Sequence, residues 1–250
     1  MNLLDREILL VDKPAGMSSF GVVARIRRIL TEQKGSRGKV GHAGTLDPFA
    51  TGLLICLLGK GTKKAGEYLK KDKRYTATIC LGKVSTTGDI EGEIVEYDSS
   101  RAPVARPVVT GELPILRSRC RERSLEEHIP TISDINTVIK SFQGEIVQKV
   151  PAYSAVKIKG RRAYDLARKG VEVEMPERKV TIYNISVLKY EWPELVIDCK
   201  VSSGTYIRAL GEDIGKKLGV GGYLTALRRT EIGDMKVSDA VTLEEIGIKD

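Results

Sequence analysis

The sequence predicts an α+β fold with a mixed, largely antiparallel central sheet flanked by helices and loops. Three observations lead there. Tyr75, Ala77, Ile79 and Leu81 alternate with Arg74, Thr76, Thr78 and Cys80, the period of a half-buried strand. Apolar residues recur at helical spacing in two separate stretches, near 19–33 and 205–218. Strand and helix signals then mix without a regular βαβ rhythm and without an internal repeat, which argues against a parallel doubly wound sheet.

The elements follow in order. Residues 7–11, EILLV, read as a short buried strand, and DKPAGMSS turns the chain at Pro14 and Gly16. Ser18 or Ser19 can cap a helix running to about 33, with Val22, Val23, Ile26, Ile29 and Leu30 on its apolar face. A loop covers 34–41. LLICLL, 53–58, is a continuous apolar run of strand length, and 62–71 carries helical signal. GEIVEY, 92–97, is the expected partner of strand 74–81. Helices are expected at 133–142 and 161–169, and strands near 154–158, 179–190 and 195–202. Ile207, Leu210, Ile214 and Leu218 define the face of the helix at 205–218. A strand near 222–230 and a turn of helix at 242–246 complete the chain.

Residues 99–124 differ from the rest. They hold three prolines and six arginines against two glutamates, half of the chain's net charge of +8. This composition predicts a mobile basic excursion that does not pack.

The charge balance favours a polyanionic partner. Lys34, Arg37 and Lys39 sit in a Gly-rich loop. Lys157, Lys159, Arg161 and Arg162 cluster, as do Arg168 with Lys169, Lys216 with Lys217, and Arg228 with Arg229. Cys56, Cys80, Cys120 and Cys199 form no C-x-x-C pair, and His42 and His128 are the only histidines, so disulfides and a metal site are not expected. No apolar run reaches membrane-span length, and the N-terminus lacks a signal-peptide layout, which predicts a cytoplasmic protein. The GLLICLLGKGTK stretch fails the phosphate-loop pattern. Gly52 and Gly59 are six residues apart in the interval, and Lys60 precedes a glycine.

GHAGTLDPFATG, 41–52, holds a lone carboxylate among turn formers. Pro48 pushes Asp47 toward an extended backbone, and the glycines permit sharp turns. Such a loop can hold a carboxylate rigidly as a nucleophile that needs no cofactor. An Asp-Pro turn cap is the competing reading, and local sequence alone favours it.

Six ordered stretches change that balance. GHAGTLDPFATG resembles the central motif of the TruB family of RNA pseudouridine synthases. VDKPAGMSS (11–19), DKRYTATICLG (72–82), VPAYSAVKIKGRRAYDLARKG (150–170), VSSGTYIRALGEDIG (201–215) and YLTALRRTEIG (223–233) resemble its other motifs in the right order. The resemblance spans about 1–98 and 133–246. It implies the pseudouridine synthase fold and conversion of uridine to pseudouridine in the T loop of tRNA, without cofactor or metal.

By that resemblance, Asp47 is the nucleophilic aspartate, attacking ribose C1′, removing the C2′ proton on a glycal route, or attacking C6 of the base. Tyr75 stacks on the target base and is a candidate acceptor of the C5 proton. Arg208 pairs with Asp47 and, on electrostatic grounds, should lower its pKa. On the residues alone, Arg208 could instead pair with Glu212 at i,i+4. Tyr206 and Leu227 line the uracil pocket. His42 inserts into the T loop, Lys13 serves structure near the site, and basic residues of 157–169 contact phosphates.

Two departures from the family pattern stand out. Family members usually carry a C-terminal PUA domain, and this chain is expected to be a catalytic domain over 1–250 without one. The arginine-rich 99–124 insertion is longer than the family pattern leads one to expect and is read as a source of extra phosphate contacts. A monomer working on tRNA, away from membranes, is the expectation. Two alternatives remain: a non-catalytic RNA-binding or tRNA-folding protein on the same scaffold, and a guide-RNA-dependent pseudouridine synthase.

Overall fold

A computed structural model describes residues 2–98, 129–154, 156–158, 160–167 and 173–248. The 99–124 stretch lies outside these residues, as do Lys159, Arg168 and Lys169. In chain order the elements are β1 (Ile8–Lys13), α1 (Ser19–Lys34), β2 (Val40–Ala43), β3 (Thr51–Leu58), α2 (Ala65–Leu69), β4 (Lys73–Leu81), β5 (Lys83–Ser85), β6 (Ile94–Glu96), α3 (Ile132–Lys140), β7 (Gly144–Lys149), β8 (Lys157–Ile158), β9 (Arg161–Arg162), α4 (Ala163–Ala167), β10 (Glu177–Glu191), β11 (Glu194–Val201), α5 (Ile207–Lys217), β12 (Gly222–Ile232) and β13 (Met235–Lys236).

A nine-stranded sheet organises the molecule, in the order β1-β3-β12-β4-β11-β10-β7, with β2 on β3 and β13 on β12. The β12–β3 pair is parallel and the other named pairs are antiparallel, so the largely antiparallel α+β expectation holds.

The sequence pattern explains the layers. β3 is apolar throughout because both of its faces are covered. Leu54, Cys56 and Leu58 pack with Val22, Val23, Ile26 and Leu30 of α1, while Leu53, Ile55 and Leu57 pack with Tyr68 and Ile232. β4 is buried at Tyr75, Ala77, Ile79 and Leu81 and half-buried between, matching its alternation. Those residues join Ile207, Leu210 and Ile214 of α5 in the largest core cluster. The Ser18 hydroxyl caps α1 by accepting from the Gly21 amide, and Gly35 ends the helix in the left-handed region.

Four expectations need correction. GEIVEY does not pair with β4. Its residues 94–96 pair with β5 in a separate two-stranded sheet and are exposed, because β12 and β11 occupy both edges of β4. The 62–71 helix is divided: a 3-10 turn over Gly59–Lys64 leads into the short α2. Residues 243–247 form a turn instead of a helix, closed by the Thr242 hydroxyl accepting from the Glu245 amide at 3.3 Å. The fourth concerns Arg228 and Arg229, expected among the polyanion-facing basic residues. Arg228 grips Asp12 with two hydrogen bonds, at 3.1 and 2.6 Å, and Arg229 is 1% exposed inside the fold.

One glycine fixes where the 41–52 loop enters β3. Gly52 has φ +101, and a Cβ there would lie 2.3 Å from the Arg229 carbonyl oxygen on the neighbouring strand. Gly52→Ala is expected to destabilise the protein by about 2–4 kcal/mol, from a forbidden backbone conformation plus a clash with backbone that cannot move. Urea denaturation of the purified variant measures it.

Candidate active site

A cleft of about 560 Å³ opens beside the 41–52 loop, and Asp47, Tyr75, Tyr206, Arg208 and Leu227 all line it. Residues distant in sequence meet there because β4 lies between β12 and β11. Tyr75 sits opposite Arg229 and Cys199, and Leu227 sits opposite Ala77. Tyr206 stands at the N-cap position of α5, and the first turn of that helix carries Arg208, which reaches the loop.

Arg208 is the electrostatic centre. Its Nε lies 3.0 Å from Asp47 Oδ2, and Nη1 lies 3.1 Å from Asp89 Oδ2. Nη1 also donates to the Thr87 carbonyl at 3.0 Å, and Nη2 to the Tyr153 carbonyl at 2.8 Å. The guanidinium thus bridges two carboxylates and two backbone carbonyls, and the alternative pairing with Glu212 is not made. Asp89 was not foreseen. Its side chain is 2% exposed and accepts from the Thr87 hydroxyl at 2.6 Å and the Glu91 amide at 2.9 Å.

Asp47 keeps 34% side-chain exposure, so its carboxylate faces the cleft while the pair is held from behind. Its pKa runs against the electrostatic expectation. Burial raises it above the ordinary 3.8, and neighbouring Asp89 adds to the rise; Arg208 and Lys13 oppose both without reversing the sign.

Three buried polar side chains clamp the loop carrying Asp47. The Lys13 ammonium donates to the carbonyls of Pro48, Pro14 and Met17 at 3.0, 2.8 and 2.6 Å. The Ser19 hydroxyl accepts from the Leu46 amide at 2.8 Å and donates to the Leu46 carbonyl at 3.0 Å. Arg229 donates to the carbonyls of Gly44, Thr45 and Leu53 at 3.0, 3.4 and 2.8 Å. Lys13 is fully buried, and burial pulls its pKa down to about 8 against the attraction of Asp47. A fourth clamp holds the other wall: the Gln148 amide accepts from the Tyr206 N–H at 2.8 Å and donates to its carbonyl at 3.0 Å. A lysine at the end of an apolar strand and an arginine on the buried face of β12 were the available signals, but charge alone suggested surface.

His42 is the one proposed site residue that the cleft wall does not include. It sits half-buried on β2 opposite Cys56, with its Nδ1 buried and unpartnered among the described residues. Burial lowers its pKa, and the positive charge of Arg229 adds to this, so the ring is neutral near pH 7.

Comparison with known families decides what this arrangement belongs to. The model of the TruB family pseudouridylate synthase N-terminal domain matches residues 27–112 and 116–207, and that of the tRNA pseudouridylate synthase B C-terminal domain matches 208–248. The chain belongs to the TruB family of pseudouridylate synthases. Both matched segments of this TruB-family chain contribute to one sheet, since β12 hydrogen-bonds to β3 and β4. Relatives named tRNA pseudouridine synthase B include one from Corynebacterium diphtheriae, 42% identical over 98% of this chain and 73% of its own. One from Desulfotalea psychrophila is 44% identical over 94% of this chain and 85% of its own. Among solved structures, the Cbf5 chain of a Cbf5-Nop10-Gar1 complex superposes with a TM-score of 0.61 at 29% identity. The match covers 97% of this chain and 56% of that one. Among the described residues, no helix is long and apolar enough to cross a membrane and no cluster of metal-ligating side chains occurs.

Proposed function

We propose that this chain is a tRNA pseudouridine synthase that isomerises a uridine of the T loop, position 55, with Asp47 as its nucleophile. The observation that carries the reading is the Asp47 carboxylate, paired with a buried Arg208 and open to a cleft walled by Tyr75, Tyr206 and Leu227. This is a site with one anionic nucleophile, a flat apolar slot for a base, and rigid backing.

The steps balance without an added reactant. Asp47 attacks C1′ as the C1′–N1 bond breaks, and the uracil departs with the bonding pair. The detached base turns between Tyr75 and Leu227, and C5 re-forms the bond to C1′ as the carboxylate leaves. The C5 proton is then lost, with Tyr75 the candidate acceptor, and N1 gains a proton. On the glycal route Asp47 removes the C2′ proton instead, with the same residues in place. Arg208 restrains the carboxylate, closely at Oδ2 (3.0 Å) and more loosely at Oδ1 (3.5 Å), while the side chain stays 34% exposed.

The target base must leave its stack, at a cost of about a few kcal/mol. A neutral half-buried His42 suits the task of stacking into the opened T loop. Exposed Lys34, Arg37 and Lys39, on the connection leading into β2, supply phosphate contacts that orient the RNA. Action as a monomer in the cytoplasm fits this reading.

The relatives at 42% and 44% identity carry the tRNA synthase name, whereas the Cbf5 chain is 29% identical, which favours tRNA over a guide RNA as partner. Incubation with unmodified tRNA bearing tritium at C5 of uridine tests the reading. Tritium release from a wild-type T loop, and none from a T loop with that uridine replaced by cytidine, is expected. RNA binding without release would favour the non-catalytic alternative.

A further inference from the structure

Ser154 lines the cleft, is 5% exposed, and its hydroxyl has no hydrogen-bond partner among the described residues. A buried hydroxyl left unpaired costs stability, so its retention needs a reason. Its backbone is fixed on both sides. The Ser154 amide donates to the Ala152 carbonyl at 3.0 Å, and its carbonyl accepts from the Tyr164 amide at 3.0 Å. The backbone that carries the hydroxyl is therefore held in place while the hydroxyl itself is unused.

Several other polar groups of the cleft are already engaged. Arg208 donates hydrogen bonds to Thr87, Tyr153 and Asp47 and forms ion pairs with Asp47 and Asp89. Arg229 serves three carbonyls, and Lys73 donates to the carbonyls of Leu69 and Lys71. Ser202 accepts from the Thr181 amide, and Thr205 donates to the Ser202 carbonyl.

We propose that Ser154 is a substrate-binding residue whose hydroxyl hydrogen-bonds the target nucleotide beside its glycosidic bond. This rests on the reading of Asp47 given above. Ser154 directly follows Tyr153, whose carbonyl lies 2.8 Å from the Arg208 Nη2 that also reaches Asp47 Oδ1 at 3.5 Å. Ser154 thus lies on the part of the cleft wall that adjoins the Arg208–Asp47 pair. Beyond the ribose ring oxygen bonded to C1′, two stronger acceptors lie close to that carbon in uridine, the ribose 2′-hydroxyl and the uracil O2 carbonyl, and a serine hydroxyl can donate to either.

The test uses the 250-residue chain and a tRNA T-stem-loop hairpin. Ser154→Ala should lower kcat/KM on the tritiated hairpin by at least tenfold and weaken hairpin binding, while the Tm stays level or rises because an unsatisfied group is gone. Ser154→Cys, nearly the same shape with a much weaker donor, should share the defect. Binding of a hairpin with 2′-deoxyuridine at the target separates the two oxygens. Loss of the Ser154→Ala effect there assigns the 2′-hydroxyl, and its persistence assigns O2. The proposal is overturned if Ser154→Ala keeps kcat/KM within twofold of wild type. It is also overturned if Ser154→Ala lowers Tm and Ser154→Cys restores both Tm and activity, the pattern of a packing role. If wild type itself releases no tritium, the catalytic reading fails; binding of the hairpin by wild type still tests Ser154 directly.

Discussion

Asp47→Asn is expected to reduce tritium release by roughly four powers of ten or more, the scale seen when a nucleophile is removed. Hairpin binding should persist, because the amide keeps the shape of the side chain and the loop is held by Lys13, Ser19 and Arg229, not by Asp47. Stability should move the other way. Burial raises the Asp47 pKa, so ionising the folded protein is harder than ionising the unfolded chain. The native state then holds more protons just above pH 3.8. Whatever stability this group lends is present below that value and lost as pH rises through the higher folded value. At pH 7 the asparagine variant should be at least as stable as wild type, and below pH 3.8 that relative gain should vanish. Urea midpoints at the two pH values check the sign. The same shift predicts that wild-type kcat/KM falls on the acid side at a pH above 3.8. An Asp47→Asn variant that still releases tritium would remove Asp47 from the chemistry.

The sequence carried the elements whose burial follows a local period. α1, β3, β4, α5 and β12 each have an apolar face or run that periodicity exposes, and the structure places them close to the expected bounds. It did not carry β7, and the reason is chemical. Val147 points outward at 58% exposure, while Gln148 is buried to hold the Tyr206 backbone, so polarity runs against burial. Nor did it carry the pairing of β4, whose neighbours come from more than a hundred residues downstream and displace the nearby GEIVEY.

At the site, the ordered motifs pointed to Asp47, Tyr75, Tyr206, Arg208 and Leu227, and the fold brings these five to one cleft. Local sequence alone left Asp47 as a turn former. The supporting residues were hidden for a common reason. Apart from Lys13, whose motif had suggested a structural role near the site, Ser19, Asp89, Gln148 and Arg229 act through backbone atoms or charges far away in the chain, and a single sequence offers no pattern for that. The Asp47 pKa was misjudged for a related reason. A sequence can suggest a nearby arginine, but not how much water the fold removes.

Arg208→Met should be the most damaging single change for stability and activity together. The methionine fills much of the same space but strands two carboxylates, one of them the 2%-exposed Asp89. It also removes the donors to the Thr87 and Tyr153 carbonyls. Breaking a buried ion pair from one side costs about 3–5 kcal/mol, because the remaining charge is left in a poor solvent. For a chain of this size that is a fall in Tm of about 10 °C. Without Arg208 nothing of that strength opposes the burial that already raises the Asp47 pKa, so the deficit should be smallest at low pH, where Asp47 is protonated, and grow toward pH 7. Catalysis should fall with it, since Asp47 loses the contact that fixes its orientation. Arg208→Lys separates charge from geometry. One ammonium restores a positive charge but cannot span Asp47 and Asp89 together with two carbonyls. It should recover part of the Tm and little of the tritium release. Full recovery of activity by lysine would mean that the site needs only a positive charge there, and the bridging geometry would carry no catalytic weight.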